Sequence, residues 1–217
     1  MHGGWGGGWE WTAVARALRE RGHEVYTPTL TGMGERAHLG GPEVGLATHV
    51  EDVVAVLEQE DLNEVLLCAH SYGGMPVTGA ADRVSARIRL IVYVDALVPS
   101  DGQSAFDLLP DAFVEFARAA AAEHGHGWRV PIPAELLPPE GLIADDERTR
   151  YVNRLRDQPL GSFSEPINLS ARPTGFPARL SAARAATSAA TRSHPWPLGP
   201  SARAGFTASS SLRMTHS

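Results

Sequence analysis

A short apolar run that ends in a tight, serine-containing turn limits the possible folds of this chain more than any other feature. Residues 65–69, Val-Leu-Leu-Cys-Ala, are continuously apolar, as expected of a parallel strand that is covered on both faces. Only the four residues 70–73 separate this run from a helical pattern over residues 74–84. The sequence therefore predicts a buried strand that turns sharply into a helix.

Further strand and helix patterns alternate along the first hundred residues. Residues 89–94 repeat the buried-strand pattern, and residues 23–27 form a third predicted strand. Apolar residues at helical spacing predict helices over residues 10–20 and 50–60, the second with a capping box that starts at Thr48. This alternation is typical of an α/β fold with a parallel sheet.

The turn after residues 65–69 has the pattern of a nucleophile elbow centred on Ser71. In such a turn the residues two before and two after the nucleophile come close together, so both must be small, as Ala69 and Gly73 are. Pro76 fits the first helical turn, where a missing N–H costs nothing, and the helix N-terminus favours developing negative charge. The alternative is that Ser71 only caps a helix. Because the strand, the small residues and the helix coincide, we interpret Ser71 as a nucleophile.

A glycine-rich segment at the start of the sequence supplies the second element of this chemistry. Residues 2–5, His-Gly-Gly-Trp, have the pattern of HGG-type loops, which contribute one backbone N–H to an oxyanion hole. Gly4 would donate this N–H, and Tyr72, the residue after the nucleophile, would donate the other. A glycine-rich loop alone is more often a flexible terminus, but its pairing with the elbow favours the oxyanion role.

Four segments together resemble the α/β-hydrolase superfamily, and within it the branch of small carboxylesterases, plant methylesterases and hydroxynitrile lyases. These segments are residues 2–11, 29–36, 69–74 and 94–99. The similarity covers about residues 2–169, and both ends of the chain depart from the family pattern. The resemblance implies an α/β-hydrolase fold, with a parallel sheet, helices on both faces and a helical cap. It also implies small ester substrates and no cofactor, with Ser71 as nucleophile and Gly4 and Tyr72 in the oxyanion hole.

The family order of nucleophile, acid and then histidine limits the choice of a general base. None of the four histidines after Ser71 lies in the Gly-His-Asp type of segment that the resemblance requires: His124, His126, His194 and His216. The sequence therefore leaves the base unassigned. Asp95 follows the strand after the nucleophile helix, a position that some members of the superfamily use for the acid. An equally weighted alternative is a structural aspartate that ties down the loop to Pro99.

Composition excludes several other classes of protein. All 19 basic side chains are arginine, which rules out a lysine-dependent phosphate loop or Schiff base. The net charge of −6 provides no basic field for nucleic acid, and no apolar run approaches the length that spans a membrane. Cys68 is the only cysteine, so no internal disulfide can form. The pair His124 and His126 is more typical of a surface than of a metal site, and we predict no metal.

The sequence divides into three predicted parts: a hydrolase core over residues 1–99, a helical cap over residues 100–165, and a tail over residues 166–217. The tail is rich in Arg, Ala, Ser and Pro and is predicted to be disordered. Residues 170–217 hold six arginines but no acidic residue, no Val and no Ile. A shifted reading frame would explain this change, and a late start codon would explain why no strand precedes the glycine loop. In the absence of a charged-then-apolar leader, the expected compartment is the cytoplasm.

These patterns lead to a functional hypothesis with two alternatives. The first interpretation is a serine-dependent carboxylesterase that acts on small ester substrates through an acyl-enzyme, with no nucleic-acid or membrane partner. The second is a non-catalytic remnant or small-molecule-binding module that has the pocket but lacks the catalytic histidine. A hydroxynitrile lyase-like activity is a third, which the lack of lysine disfavours. The sequence leaves the substrate and the oligomeric state open.

Overall fold

The computed structural model describes residues 1–170. Its helices and strands are, in chain order, α1 (Thr12–Arg19), α2 (Leu46–Gln59), β1 (Val65–Ser71), α3 (Gly74–Arg83), β2 (Ile88–Ala96), α4 (Asp111–His124), β3 (Arg129–Val130), α5 (Asp145–Arg154), β4 (Gln158–Pro159) and α6 (Leu160–Ser164). Short 3-10 helices lie at Gly8–Trp11, Gly34–Leu39, Ser85–Arg87, Phe106–Leu108 and Ala134–Leu136.

The central sheet is built from the two strands that flank the predicted elbow. Strands β1 and β2 pair in parallel, from Val65 opposite Ile88 to Ser71 opposite Ala96. The crossover helix α3 contacts both strands, and α2 packs against α3. A register shift lies between His70 and Ser71, so the ladder becomes irregular where the chain leaves the strand. The predicted α/β fold with parallel strands is confirmed, and it sets Ser71 at the carboxyl end of β1.

A cluster of five aromatic rings forms the core between the cap and the elbow. Phe163 of α6 lies at its centre and contacts the rings of Trp5, Tyr72, Phe106 and Phe113 at centroid distances of 5.5–5.9 Å. Most of these pairs are edge-on or tilted, the arrangement that the charge distribution of aromatic rings favours. The cluster joins residues that are far apart in sequence and forms one wall of the candidate site.

Residues 23–27 do not form a strand, and the sequence prediction is wrong here. The backbone over residues 23–30 has no hydrogen-bonded strand neighbour in the part of the chain that is described. Instead Met1 pairs with the end of β1: its ammonium group donates to the Cys68 carbonyl, and its carbonyl accepts from the His70 N–H at 3.1 Å. A chain segment becomes a β-strand only when a neighbour completes the ladder, and an apolar pattern does not reveal that neighbour.

Helix α2 begins four residues earlier than its predicted first residue, and the predicted capping box is not used. Thr48 lies inside the helix, and the N-cap residue is Gly45. A carboxylate from elsewhere in the chain takes the capping role, because the Ala47 N–H donates to Glu165 Oε2 at 3.1 Å. A tertiary contact over more than a hundred residues thus replaces the local signal.

The segment predicted as a cap, residues 100–165, is mainly helical. Pro110 separates the turn Phe106–Leu108 from α4. A short antiparallel pairing of β3 with β4, which sequence patterns did not predict, closes the segment. Of the predicted tail, residues 171–217 lie outside the described residues. Among residues 1–170, no helix combines the length and apolar character needed to cross a membrane.

Candidate active site

Ser71 lies on a strained turn at the end of β1. Its φ angle is +51°, in the left-handed region that residues other than glycine rarely adopt. The turn needs small neighbours: a Cβ on Gly73 would lie 2.5 Å from the His2 carbonyl oxygen, and one on Gly74 would overlap the Leu97 carbonyl oxygen. The chain therefore bends tightly enough to expose the Ser71 side chain at the start of α3, which is the geometry expected of a nucleophile elbow.

The glycine-rich segment lies directly against this turn. A Cβ on Gly3 would lie 3.3 Å from Ser71 Cβ, and one on Gly4 would lie 3.9 Å from Tyr72 Cβ. Within residues 1–170, neither the Gly4 N–H nor the Tyr72 N–H donates a recorded hydrogen bond. The two residues predicted to form the oxyanion hole thus adjoin each other.

Gln158 of β4 holds the glycine-rich segment in place, and the sequence analysis did not find it. Its side chain is fully buried, and Oε1 accepts the Trp5 N–H at 3.0 Å. Its Nε2 donates to the Ser162 hydroxyl at 2.7 Å. Trp5, whose φ is +59°, is also fixed by its indole N–H, which donates to the Val130 carbonyl at 2.9 Å. No local pattern identifies a glutamine that acts across 153 residues.

A half-buried carboxylate, that of Glu10, lies beside the same segment. Burial raises the pKa of Glu10 to about 7, and its hydrogen bonds with the Gly3 backbone and the Tyr151 hydroxyl act in the opposite direction. A Cβ on Gly6 would overlap the Glu10 carboxylate, so a side chain there would displace that carboxylate. Glu10 is therefore a second group that shapes the glycine-rich segment, and its charge changes near neutral pH.

A small, mostly apolar cavity of about 60 Å³ opens beside Ser71. It is lined by Trp5, Ser71, Tyr72, Asp95, Ala96, Leu97, Leu109, Phe113, Leu136 and Phe163. Since a water molecule occupies about 30 Å³ in the liquid, this volume suits a group of a few heavy atoms. The predicted nucleophile, one predicted oxyanion residue and the candidate acid thus face one cavity.

Asp95 reaches this cavity from the end of β2. Like Ser71, it has a positive φ, +44°, on a residue other than glycine. Its side chain is exposed, and within residues 1–170 no recorded hydrogen bond holds its carboxylate. The structure therefore brings Asp95 close to Ser71 but shows none of the contacts by which a structural aspartate would tie down the loop to Pro99.

The two fully buried histidines of this region cannot serve as the base, because both ring nitrogens of each are engaged. His2 accepts the Leu30 N–H at Nε2, at 3.1 Å, and Nδ1 lies 2.7 Å from the Gly3 carbonyl. His49 contacts the Tyr72 hydroxyl and the Thr31 carbonyl. Burial lowers the pKa of both rings, for His2 to about 3.

The other candidate bases are exposed histidines of the cap, such as His124 and His126, or lie outside the described residues. His124 is exposed at the end of α4, where it pairs with Glu123 at 3.7 Å. His194 and His216 lie outside the described residues. Among residues 1–170, no three or more metal-ligating side chains come together.

Comparisons with known proteins agree with the observed fold. The model of the alpha/beta hydrolase family matches residues 1–209. A carbendazim hydrolyzing esterase from Nocardioides sp. is 44% identical over 178 residues, which cover 78% of this chain and 72% of that protein. A putative chloroplastic methylesterase 14 from Arabidopsis thaliana is 25% identical, and the match covers 81% of this chain but only 54% of the plant protein.

A solved structure is also similar. An extracellular alpha/beta-hydrolase from a Paenibacillus species, described as sharing structural and functional homology with tobacco salicylic acid binding protein 2, superimposes with a TM-score of 0.69 at 26% identity. The match covers 78% of this chain and 69% of that one. The chain therefore belongs to the alpha/beta hydrolase family, in the branch that contains small carboxylic-ester hydrolases and plant methylesterases.

Proposed function

We propose that this protein is a serine-dependent carboxylesterase. The Ser71 Oγ attacks the carbonyl carbon of an ester, its proton passes to a base, and the alcohol leaves after taking up a proton. Water then attacks the acyl-enzyme, which releases the carboxylic acid and restores Ser71. The observation that carries this proposal is the strained Ser71 backbone at the junction of β1 and α3, beside a cavity.

The oxyanion of each tetrahedral intermediate is held by the backbone N–H groups of Gly4 and Tyr72. Three features support this assignment: the two residues adjoin each other, their N–H groups lack recorded partners within residues 1–170, and Tyr72 precedes the N-terminus of α3. Preorganised donors of this kind contribute about 3–4 kcal/mol each to transition-state stabilisation. The oxyanion hole would therefore supply a large share of the rate enhancement.

The cavity favours a small, uncharged ester. Its lining is dominated by the rings of Trp5, Tyr72, Phe113 and Phe163, and among residues 1–170 Asp95 is its only charged side chain. Nothing in such a lining would neutralise a carboxylate on the substrate, whereas an apolar acyl or alkyl group would be stabilised by burial. The relatives named as methylesterases are consistent with a small alcohol group on one side of the ester.

Asp95 is the candidate acid that would orient the base, and the base itself is unassigned. Support for Asp95 is its position on the same cavity as Ser71 and its positive φ, which resembles that of Ser71. A serine needs a base to become nucleophilic at neutral pH. Measuring whether Ser71 is reactive therefore tests whether the chain supplies such a base.

A small-molecule-binding module is the second candidate function. The specific observation in its favour is that both buried histidines near Ser71, His2 and His49, are fully engaged elsewhere. In that case the cavity would bind an apolar ligand, and Ser71 would not react.

Labelling of the full chain with a fluorophosphonate probe separates the two functions, because the probe reports an activated serine without requiring the natural substrate. We expect labelling of the wild-type chain and of Ser100→Ala, which removes an exposed hydroxyl, and none of Ser71→Ala. Hydrolysis of p-nitrophenyl acetate should be lost in the same variant. Wild-type chain that is folded yet unlabelled would contradict the esterase and favour the binding module.

A further inference from the structure

A buried hydrogen-bonded pair connects helix α2 to the residue that follows Ser71. The Tyr72 hydroxyl lies 2.8 Å from His49 Nδ1, and His49 Nε2 lies 2.9 Å from the Thr31 carbonyl oxygen. Tyr72 is 2% exposed and His49 is fully buried. The proposed esterase mechanism uses only the backbone N–H of Tyr72, so the side-chain contact is unexplained by it.

The partners of His49 fix its protonation. A carbonyl oxygen can only accept, so Nε2 carries the hydrogen and donates it to Thr31. Nδ1 then has a free lone pair and accepts the hydrogen of the Tyr72 hydroxyl. The neutral ring thus joins two hydrogen bonds of fixed direction: Tyr72 donates to His49, and His49 donates to Thr31. We call this chain of two hydrogen bonds the connector.

The far end of this connector is rigid. The Thr31 N–H and hydroxyl both donate to the Asp52 carboxylate, at 2.6 and 2.8 Å. Arg36 adds a contact to Asp52 at 3.1 Å and one to the Thr31 hydroxyl at 2.9 Å. Since His49 and Asp52 both belong to α2, one helix holds the Tyr72 ring and the loop that carries Thr31.

The near end lies at the proposed oxyanion hole. The Tyr72 ring packs edge-on against Phe163 at 5.5 Å, and the Ser162 hydroxyl is the other polar group that interacts with the Tyr72 hydroxyl. With its ring clamped at both the edge and the hydroxyl, Tyr72 has little freedom to rotate. The backbone N–H of Tyr72 is then fixed relative to the Ser71 side chain one residue away.

We propose that His49 is a positioning residue, which holds Tyr72 so that its backbone N–H points at the oxyanion. The inference rests on the proposed esterase function, because it assigns a role to the oxyanion donor of that reaction. Misplacement of a donor costs transition-state stabilisation and leaves ground-state binding nearly unchanged. The signature is therefore a fall in the maximal rate at constant affinity.

Two substitutions of His49 by residues of similar size each remove a different one of its two contacts. In His49→Asn the amide oxygen takes the place of Nδ1 and still accepts from Tyr72, whereas the contact to Thr31 is lost. In His49→Gln the amide nitrogen takes the place of Nε2 and still donates to Thr31, whereas the contact to Tyr72 is lost. Tyr72→Phe removes the same contact from the other side and keeps the ring.

The readout is the saturation kinetics of fluorophosphonate labelling at Ser71 in the full chain, with the melting temperature of each variant measured in parallel. We expect the maximal labelling rate to fall about tenfold in Tyr72→Phe and His49→Gln, with the half-saturating probe concentration within about twofold. His49→Asn should label faster than His49→Gln even where its melting temperature is equal or lower. His23→Gln, at an exposed histidine that precedes Ser71 in the chain, is the matched control and should label like wild type.

The outcomes are distinguishable. If the wild type labels and all three variants label at its rate, or if the rates of the two His49 variants follow only their melting temperatures, the positioning role is overturned and the esterase proposal stands. If the folded wild type does not label, both proposals fail together. Nitrogen chemical shifts of the His49 ring give an independent check, since a ring protonated at Nδ1 would contradict the connector.

Discussion

The two sides of Ser71 are built in different ways. On the side of the glycine-rich segment, buried hydrogen bonds hold Trp5, the neighbour of Gly4, to Gln158 and hold Tyr72 to His49. On the other side, Asp95 reaches the cavity as an exposed side chain that no recorded hydrogen bond holds within residues 1–170. In the proposed esterase, the backbone N–H groups that stabilise the oxyanion would thus be preorganised, whereas within residues 1–170 no recorded hydrogen bond holds the carboxylate that would orient a base.

The largest expected effect tests how tightly the start of α3 packs against the end of β2 and the residue after it. We expect Gly74→Ala to destabilise the fold by about 3 kcal/mol or more, because its Cβ would overlap the Leu97 backbone oxygen, which cannot move aside. Gly4→Ala is the matched control: its Cβ would meet only ordinary contacts at 3.8–3.9 Å, so the melting temperature should hardly change. Urea unfolding of both variants measures the difference, and equal stability would show that the turn can relax.

The next prediction concerns Asp95, the exposed carboxylate on the other side of Ser71. We expect Asp95→Asn to lower p-nitrophenyl acetate hydrolysis by about a hundredfold, because an amide cannot stabilise a protonated base. The melting temperature should stay unchanged, since the carboxylate has no recorded partner in the described residues. Asp111→Asn, another exposed carboxylate, serves as the control. A lower melting temperature with normal activity would instead support the structural role for Asp95.

A smaller effect is expected where the glycine-rich segment meets the cap. Gln158→Met keeps the size of the side chain but removes the acceptor of the Trp5 N–H, which should cost about 1–3 kcal/mol. The rate of Ser71 labelling should fall roughly tenfold, because the neighbouring Gly4 N–H is no longer held. Gln103→Met, which loses only an exposed contact to Ser100, should have neither effect.

The smallest effect is a pH dependence of stability from Glu10. The folded-state pKa of Glu10, about 7, lies above its ordinary value near 4.5, so the folded state binds the proton more tightly than the unfolded chain. Its contribution to stability is therefore fully present below about pH 4.5 and is lost as the pH rises through about 7. Glu10→Gln should raise the melting temperature at pH 8 by about 2–4 °C relative to wild type and leave it similar at pH 4.5. Parallel melting curves of both proteins across this range would contradict a buried, raised Glu10.

Sequence patterns were most informative where short-range sterics decide the structure. The tight turn at Ser71 was predictable because Ala69, Gly73 and the following helix are adjacent in the chain. The start of α2 was not, since a local capping box at Thr48 gave way to the distant carboxylate of Glu165. Competition between local and tertiary partners cannot be evaluated from the chain alone.

The sequence by itself determined the α/β alternation, the family and the position of the turn at Ser71. These follow from apolar periodicity and from the small residues that a sharp bend demands, both of which are properties of neighbouring residues. Only the tertiary structure decided that residues 23–27 lack a strand partner within residues 1–170, that Gln158 holds Trp5, and that His49 contacts Tyr72. Each of these depends on a hydrogen-bond partner many residues away, and the partner is defined only when the chain has folded.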